Sequence, residues 1–139
     1  LIVASNYYKK YSDSLVYSAK DKLKNDEKFK YRSKLMKFSN DLIEVPGAFE
    51  IPVTIAKLAK KYDGFIAIAC IIKGETANFD LISQAITNGI MQISINEKKP
   101  IGNAILTCFN KDQSKNRFNR GAEAVNAVMT VLKNGSKKI

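Results

Sequence analysis

The sequence predicts an α/β fold: a mainly parallel four-stranded sheet with helices on both faces. Three observations carry that reading. Residues Phe65–Ile72 are apolar at every position, as a strand buried on both faces requires. Apolar runs alternate with amphipathic stretches along the chain, the pattern of successive β-α units. The 139 residues, 45% hydrophobic and 26% charged, suit one core, so residues 1–139 are expected to form a single domain.

Residues 1–5 read as the first strand, and residues 14–24 as a helix with Leu15, Ala19 and Leu23 on one face. The signal over residues 24–40 is poor; this Lys-rich stretch is a surface excursion or an extra edge strand. Residues 41–45 form a short strand that Pro46-Gly47 ends. Residues 52–62 follow as a helix, Pro52 suiting the first turn and Val53, Ala56, Leu58 and Ala59 giving an apolar side. After Phe65–Ile72 comes a long helix, residues 79–95, and then a second buried strand, Ile101–Cys108, behind Pro100. Residues 121–134 close as a helix, apolar at Ala122, Val125, Val128, Met129 and Leu132, with Gly135 after its end. Parallel crossovers are right-handed, so the helices should divide between the two sheet faces.

Composition narrows the chemistry. There is no His, which excludes His-based triads and most transition-metal sites. Cys70 and Cys108 lie in apolar runs without metal-ligand spacing and read as buried free thiols. A net charge of +10 invites a nucleic-acid partner, but 20 of the 23 basic residues are Lys, spread along the chain. A solvated basic surface that tolerates anionic small molecules is the better reading, with no nucleic acid and no membrane as partners. No apolar run is long enough to cross a bilayer, so a cytoplasmic location is expected. The opening, Leu1-Ile2-Val3-Ala4 without Met, suggests an incomplete native N-terminus. Against the Lys background, Arg117-Phe118-Asn119-Arg120 is informative, because Arg offers a planar fork for phosphate or carboxylate.

In open α/β sheets ligands bind beyond the carboxyl ends of strands. Three segments take that position: Asn6-Tyr7-Tyr8, Pro46-Gly47-Ala48-Phe49-Glu50 and Lys73-Gly74-Glu75-Thr76-Ala77-Asn78. The last suits an anion, with Gly74 freeing backbone at a helix N-terminus and Thr76 adding a hydroxyl. A plain strand-to-helix turn capped by Thr76 or Asn78 is the competing account. Glu50 can favour a helix dipole or accept substrate hydroxyls; Tyr7 can stack on a heterocycle or simply pack.

Together these segments resemble one family. Val45-Pro46-Gly47-Ala48-Phe49-Glu50-Ile51-Pro52 looks like the lumazine synthase VPGAFEIP signature, and Ile71-Ile72-Lys73-Gly74-Glu75-Thr76 is similar to its VIRGET. Ile101-Gly102-Asn103-Ala104-Ile105-Leu106-Thr107 resembles its PVGNGVLT strand, and Gly121-Ala122-Glu123-Ala124 its NKGAEAA helix start. The resemblance implies a flavodoxin-like three-layer α/β/α sandwich in homopentamers that can pack into larger shells. It also implies a riboflavin-biosynthesis transferase. That enzyme condenses 5-amino-6-(D-ribitylamino)uracil with 3,4-dihydroxy-2-butanone 4-phosphate, without metal or organic cofactor. On this chain Tyr7 would stack on the pyrimidine, and Gly47, Ala48, Phe49 and Glu50 would hold the ribityl chain. Cys70, Ile71 and Ile72 would present main-chain groups. Gly74, Glu75, Thr76 and Arg117 (alternatively Arg120) would take the phosphate, and Asn103 would come from a neighbouring subunit.

Three departures stand out. The family's GETxHF motif carries a His where this chain has Asn78, and Asn cannot shuttle a proton near neutral pH. The stretch from Arg117 to Gly121 is shorter than usual, and residues 24–40 are longer. A slower working enzyme is the first reading. A catalytically weak or inactive relative, binding ribityl heterocycles or serving as a shell, is the alternative.

Overall fold

A computed structural model of the chain describes residues 1–26, 41–75 and 77–134. Four strands, β1 (Ile2–Ser5), β2 (Leu42–Val45), β3 (Phe65–Ile72) and β4 (Ile101–Cys108), form one all-parallel sheet in the order β2-β1-β3-β4. Among the described residues, five α-helices cover it: α1 (Lys9–Asn25), α2 (Ile51–Leu58), α3 (Asn78–Glu97), α4 (Lys111–Lys115) and α5 (Arg120–Asn134); a 3-10 turn, Ala48–Glu50, precedes α2. The result is the expected three-layer, flavodoxin-like α/β/α sandwich.

Strand alternation divides the apolar side chains between two cores. Ile2, Ala4, Ile66, Ile68, Cys70, Ala104, Leu106 and Cys108 face α1 and α5, where Leu15, Ala19, Val125 and Met129 meet them. Val3, Phe65, Ala67 and Ala69 face α2 and α3, against Ile51, Ile55, Ile86 and Ile90. The first interface is drawn very close. A Cβ on Gly121 would lie 2.2 Å from the Leu15 carbonyl oxygen, and one on Gly102 2.5 Å from that of Ala124. Only glycine lets the backbones approach so far.

β3 and β4 match the predicted ranges at both ends, and the other elements shift. α1 starts at Lys9 rather than residue 14, because the Tyr8 carbonyl accepts from the Tyr11 and Ser12 amides and opens the helix early. α2 begins at Ile51 and stops at Leu58, short of residue 62. Its buried residues are Ile51 and Ile55; of the predicted apolar side Leu58 packs against the core and Ala59, just past the helix, is buried, whereas Val53 and Ala56 are exposed. α3 runs from Asn78 to Glu97 and α5 from Arg120. The 3-10 turn and α4 carry no apolar periodicity and went unpredicted. Residues 27–40 and Gly135 lie outside the described residues.

Candidate active site

The strand order places a switch point between β1 and β3, from which the crossovers diverge to opposite sides of the sheet. Here β3 outruns its neighbour. β1 pairs with it only through Ala4 opposite Ile68, while β4 pairs with it through Ile72 opposite Cys108. Along Ala69–Ile72 the edge of β3 that faces β1 therefore has no strand partner among the described residues. Backbone donors and acceptors on such an edge need a partner from elsewhere. Cys70, Ile71 and Ile72, predicted to offer main-chain groups, lie on this overhang.

The loops beside it are those singled out from the sequence. After β1, the Tyr7 amide donates to Ser5 Oγ at 3.3 Å, and the ring is 74% exposed, set edge-on to Tyr8 with centroids 5.0 Å apart. After β2, Gly47 is extended, and a Cβ there would lie 3.0 Å from Glu50 Oε2. The Glu50 carboxylate thus leans back over Gly47, within a turn that also carries Ala48 and the exposed Phe49. The Glu50 carbonyl accepts from Thr54 Oγ1 at 2.7 Å, tying the turn to α2. A groove of about 480 Å³ beside this turn is lined by Phe49, Glu50, Pro52, Val53, Ala85 and Ile86.

After β3, Lys73, Gly74 and Glu75 are exposed, and Thr76 lies outside the described residues. Gly74 has no positive φ, and a Cβ on it would meet nothing within 4 Å, so neither strain nor packing in this chain demands glycine. Ala77 precedes α3 as its cap residue with no side-chain bond; Asn78 is the first helical residue rather than the cap. The Lys73 amide donates to the Cys108 carbonyl at 2.9 Å, and its ammonium sits 5.4 Å from the Phe109 ring centroid. Phe109 in turn lies 5.9 Å from Phe79. Nothing in the sequence reading flagged this cluster.

After β4, Asn110 caps α4 by accepting from the Gln113 amide at 3.0 Å. Arg117 and Arg120 differ in what they face. Arg120 pairs loosely with Glu123, N to O 3.7 Å. Arg117 forms no ion pair among the described residues; burial raises the thiol pKa of Cys108 at the end of β4, and the Arg117 charge only partly opposes that rise. Burial, and then the neighbouring Cys108, raise the Cys70 thiol to about 11, partly offset by a hydrogen bond with Ser114. Both thiols are buried and free, and such groups stay protonated and inert near neutrality. Asn103 is not brought to this cluster. It lies mid-strand opposite Ala67, exposed, with its Oδ1 accepting from the Ile105 amide at 3.0 Å.

A family model for 6,7-dimethyl-8-ribityllumazine synthase matches residues 1–135. The chain belongs to that family. It is 34% identical over 140 residues to the 6,7-dimethyl-8-ribityllumazine synthase of Bartonella tribocorum, covering 95% of this chain and 86% of that one. Similarity to the Agrobacterium fabrum protein of the same name is 34% over 144 residues, covering 95% and 90%. The Corynebacterium kroppenstedtii protein of that name is 38% identical over 95 residues, 63% of this chain and 60% of its own. The lumazine synthase match thus spans the overhang and the loops around it. A groove of about 1040 Å³ between α1 and α5 lies elsewhere and is lined by Asp13, Tyr17, Asp21, Phe118 and Glu123 among others. No described helix is long and apolar enough to cross a membrane, and no described group of His, Cys, Asp and Glu is placed to hold a metal ion.

Proposed function

We propose that this chain is a working lumazine synthase, a transferase of riboflavin biosynthesis. It joins 5-amino-6-(D-ribitylamino)uracil to 3,4-dihydroxy-2-butanone 4-phosphate and releases phosphate and water. The β3 overhang carries the reading: main-chain groups without a strand partner among the described residues at a switch point, with the family's loop sequences on either side. In this reading the pyrimidine pairs with the main chain of Cys70–Ile72 and stacks on Tyr7. The ribityl hydroxyls meet Glu50 and the backbone of Gly47, Ala48 and Phe49. The phosphate lies over Gly74, Glu75 and Thr76, with Arg117 as its cation because Arg120 is turned to Glu123. Asn103, on the face shared with α2 and α3, completes the site of a neighbouring copy in a pentamer or larger shell.

Asn78 takes the place of the family's His, at the start of α3. A positioned acid–base group contributes roughly 10²–10⁴-fold, whereas proximity and orientation supply roughly 7–11 kcal/mol of barrier reduction. Condensing an amine with a ketone on an ordered template draws mainly on the larger contribution, and water or the substrate phosphate can carry the proton. The test is an assay of the purified protein with both substrates, following lumazine absorbance and phosphate release together. Product formed in step with phosphate supports the reading. Tight ribityl-heterocycle binding without turnover, in folded and assembled protein, would leave the non-catalytic alternative that Asn78 favours.

A further inference from the structure

We propose that Phe118 is a positioning residue for Arg117, held by Tyr11 of α1, so that one helical turn sets both the ring-stacking end and the anion end of the site. The inference rests on the reading of Arg117 as the phosphate cation.

The connection from α4 to α5 is short and tightly turned. The Arg117 amide donates to the Ser114 carbonyl at 3.2 Å, and the Arg120 amide to the Arg117 carbonyl at 3.1 Å. Of residues 116–119, Asn116, Arg117 and Asn119 are exposed and only Phe118 is half-buried. Its ring stacks on Tyr11, with centroids 6.4 Å apart and planes 27° from parallel, and both rings pack against the core under α1 and α5. Those two backbone bonds shape the turn itself, but an exposed guanidinium on a four-residue connection also needs the turn anchored against α1. Phe118 supplies that anchor one residue away.

Tyr11 also faces the other end of the site. The Tyr8 carbonyl accepts from the Tyr11 amide at 3.0 Å and the Ser12 amide at 3.1 Å, fixing the first turn of α1. Tyr8 and Tyr11 then meet edge-on at 6.4 Å, and Tyr8 meets Tyr7 at 5.0 Å. An aromatic row, Tyr7–Tyr8–Tyr11–Phe118, therefore runs from the stacking ring to the arginine loop. Further along, the Ala122 amide donates to Ser18 Oγ at 3.0 Å, and Gly121 sits against the Leu15 backbone, so α5 takes its register from the same helix. This gives the shortened Arg117–Gly121 stretch a physical role: a longer loop would let Arg117 drift from the strand ends that α1 orders.

The experiment is calorimetric titration of inorganic phosphate into the assembled protein at fixed ionic strength. It compares the parent with Phe118→Ala, Phe118→Tyr, Tyr11→Ala, the Phe118→Ala/Tyr11→Ala double variant and Arg117→Ala. Losing a charge-assisted hydrogen bond to a phosphate costs roughly tenfold to a hundredfold in affinity, so phosphate affinity should fall roughly tenfold or more in Phe118→Ala and Tyr11→Ala. The double variant should be no worse than either single change, and Phe118→Tyr should keep parental affinity. In turnover of Phe118→Ala the KM for the phosphorylated substrate should rise while that for the ribityl substrate holds, a split that general loosening would not produce, whereas Tyr11→Ala, which also touches Tyr8, should move both. Should Phe118→Ala not assemble, Tyr11→Ala reads the same contact from the other ring. Parental phosphate affinity in Phe118→Ala and Tyr11→Ala, with loss in Arg117→Ala, overturns the inference and keeps Arg117. Parental affinity in Arg117→Ala instead overturns the phosphate-cation reading and this inference with it.

Discussion

On the α1–α5 side of the sheet, backbone meets backbone at Gly102 and Gly121, Ser18 receives an amide from α5, and aromatic rings lock the loops. On the α2–α3 side the same sheet is thinly dressed. Phe49, Val53, Leu81, Met91 and Ile95 are between 58% and 67% exposed. Leu81, Met91 and Ile95 share one side of α3, within about 80° of helical arc at 3.6 residues per turn. Asn103 opens onto this layer's face of β4. The difference teaches a division of labour. The closed side sets the geometry of the strand ends within one chain, and the open side leaves large apolar side chains exposed.

The comparison breaks most directly at Gly121. Gly121→Ala drives a methyl to 2.2 Å from the Leu15 carbonyl oxygen and must part α1 from α5. A loss of about 3 kcal/mol or more is expected from denaturant unfolding. Gly74→Ala, with open space around it, should change stability by less than about 1 kcal/mol. Similar losses at the two positions would refute the claim that the closed side is the tightly fitted one.

On the open side, Leu81→Glu or Met91→Glu should reduce the assembled mass seen by light scattering, because a charge buried in an apolar contact without a partner is costly. Tyr17→Glu, on the outer face of α1, should leave the mass unchanged. A parent that remains monomeric at working concentration would remove the basis for lending Asn103 to a neighbour.

Asn78, first residue of an open-side helix, gives a smaller effect. Asn78→His should raise turnover by at most about the lower end of the 10²–10⁴-fold acid–base range, with ribityl-substrate affinity unchanged. It should also add a pH dependence in the window where His titrates, which steady-state kinetics of both proteins across neutral pH would reveal. An active parent whose rate ignores the substitution would show that no side-chain proton shuttle is needed at this position.

The smallest effect belongs to the thiols under the closed side. Cys70 has its folded pKa raised from 9.0 to about 11, so above pH 9 the unfolded chain ionises first and binds fewer protons. Stability from this group is whole below the unfolded pKa and is lost as pH rises toward 11, by at most about 1.4 kcal/mol per pH unit. Unfolding measured from pH 8 to 11 should show a shallower alkaline decline in Cys70→Ala than in the parent.

β3 was legible to the residue because eight apolar positions in a row, set off by Gly64, fit little else, and the edge strand β4 was marked by Pro100 and by the apolar Ala104-Ile105-Leu106. The start of α1 was not. Lys9-Lys10-Tyr11-Ser12 has no apolar period, and the turn is paid for by Phe118, far along the chain. α4 was invisible for a similar reason: Lys111–Lys115 is polar throughout and held by the Asn110 cap and the buried Ser114. Positions beyond the strand ends could be read because topology puts loops there whatever their detail. The β3 overhang could not, since where β1 stops pairing is decided by the neighbouring strand. That Arg120, rather than Arg117, has Glu123 beside it likewise could not be read before the helix spacing was seen.

The bond between the Ala122 amide and Ser18 Oγ spans 104 residues, and that span sets a clock. At roughly 5–20 residues per second of synthesis, α1 exists for roughly 5–20 s before its partner helix has been made. Through that interval the stripe of Leu15, Val16 and Ala19 has no α5 to meet, so the best-fitted half of the molecule is the last that a nascent chain can complete. Amides in α1 should accordingly gain exchange protection together with α5 during refolding, rather than with β1, which precedes them.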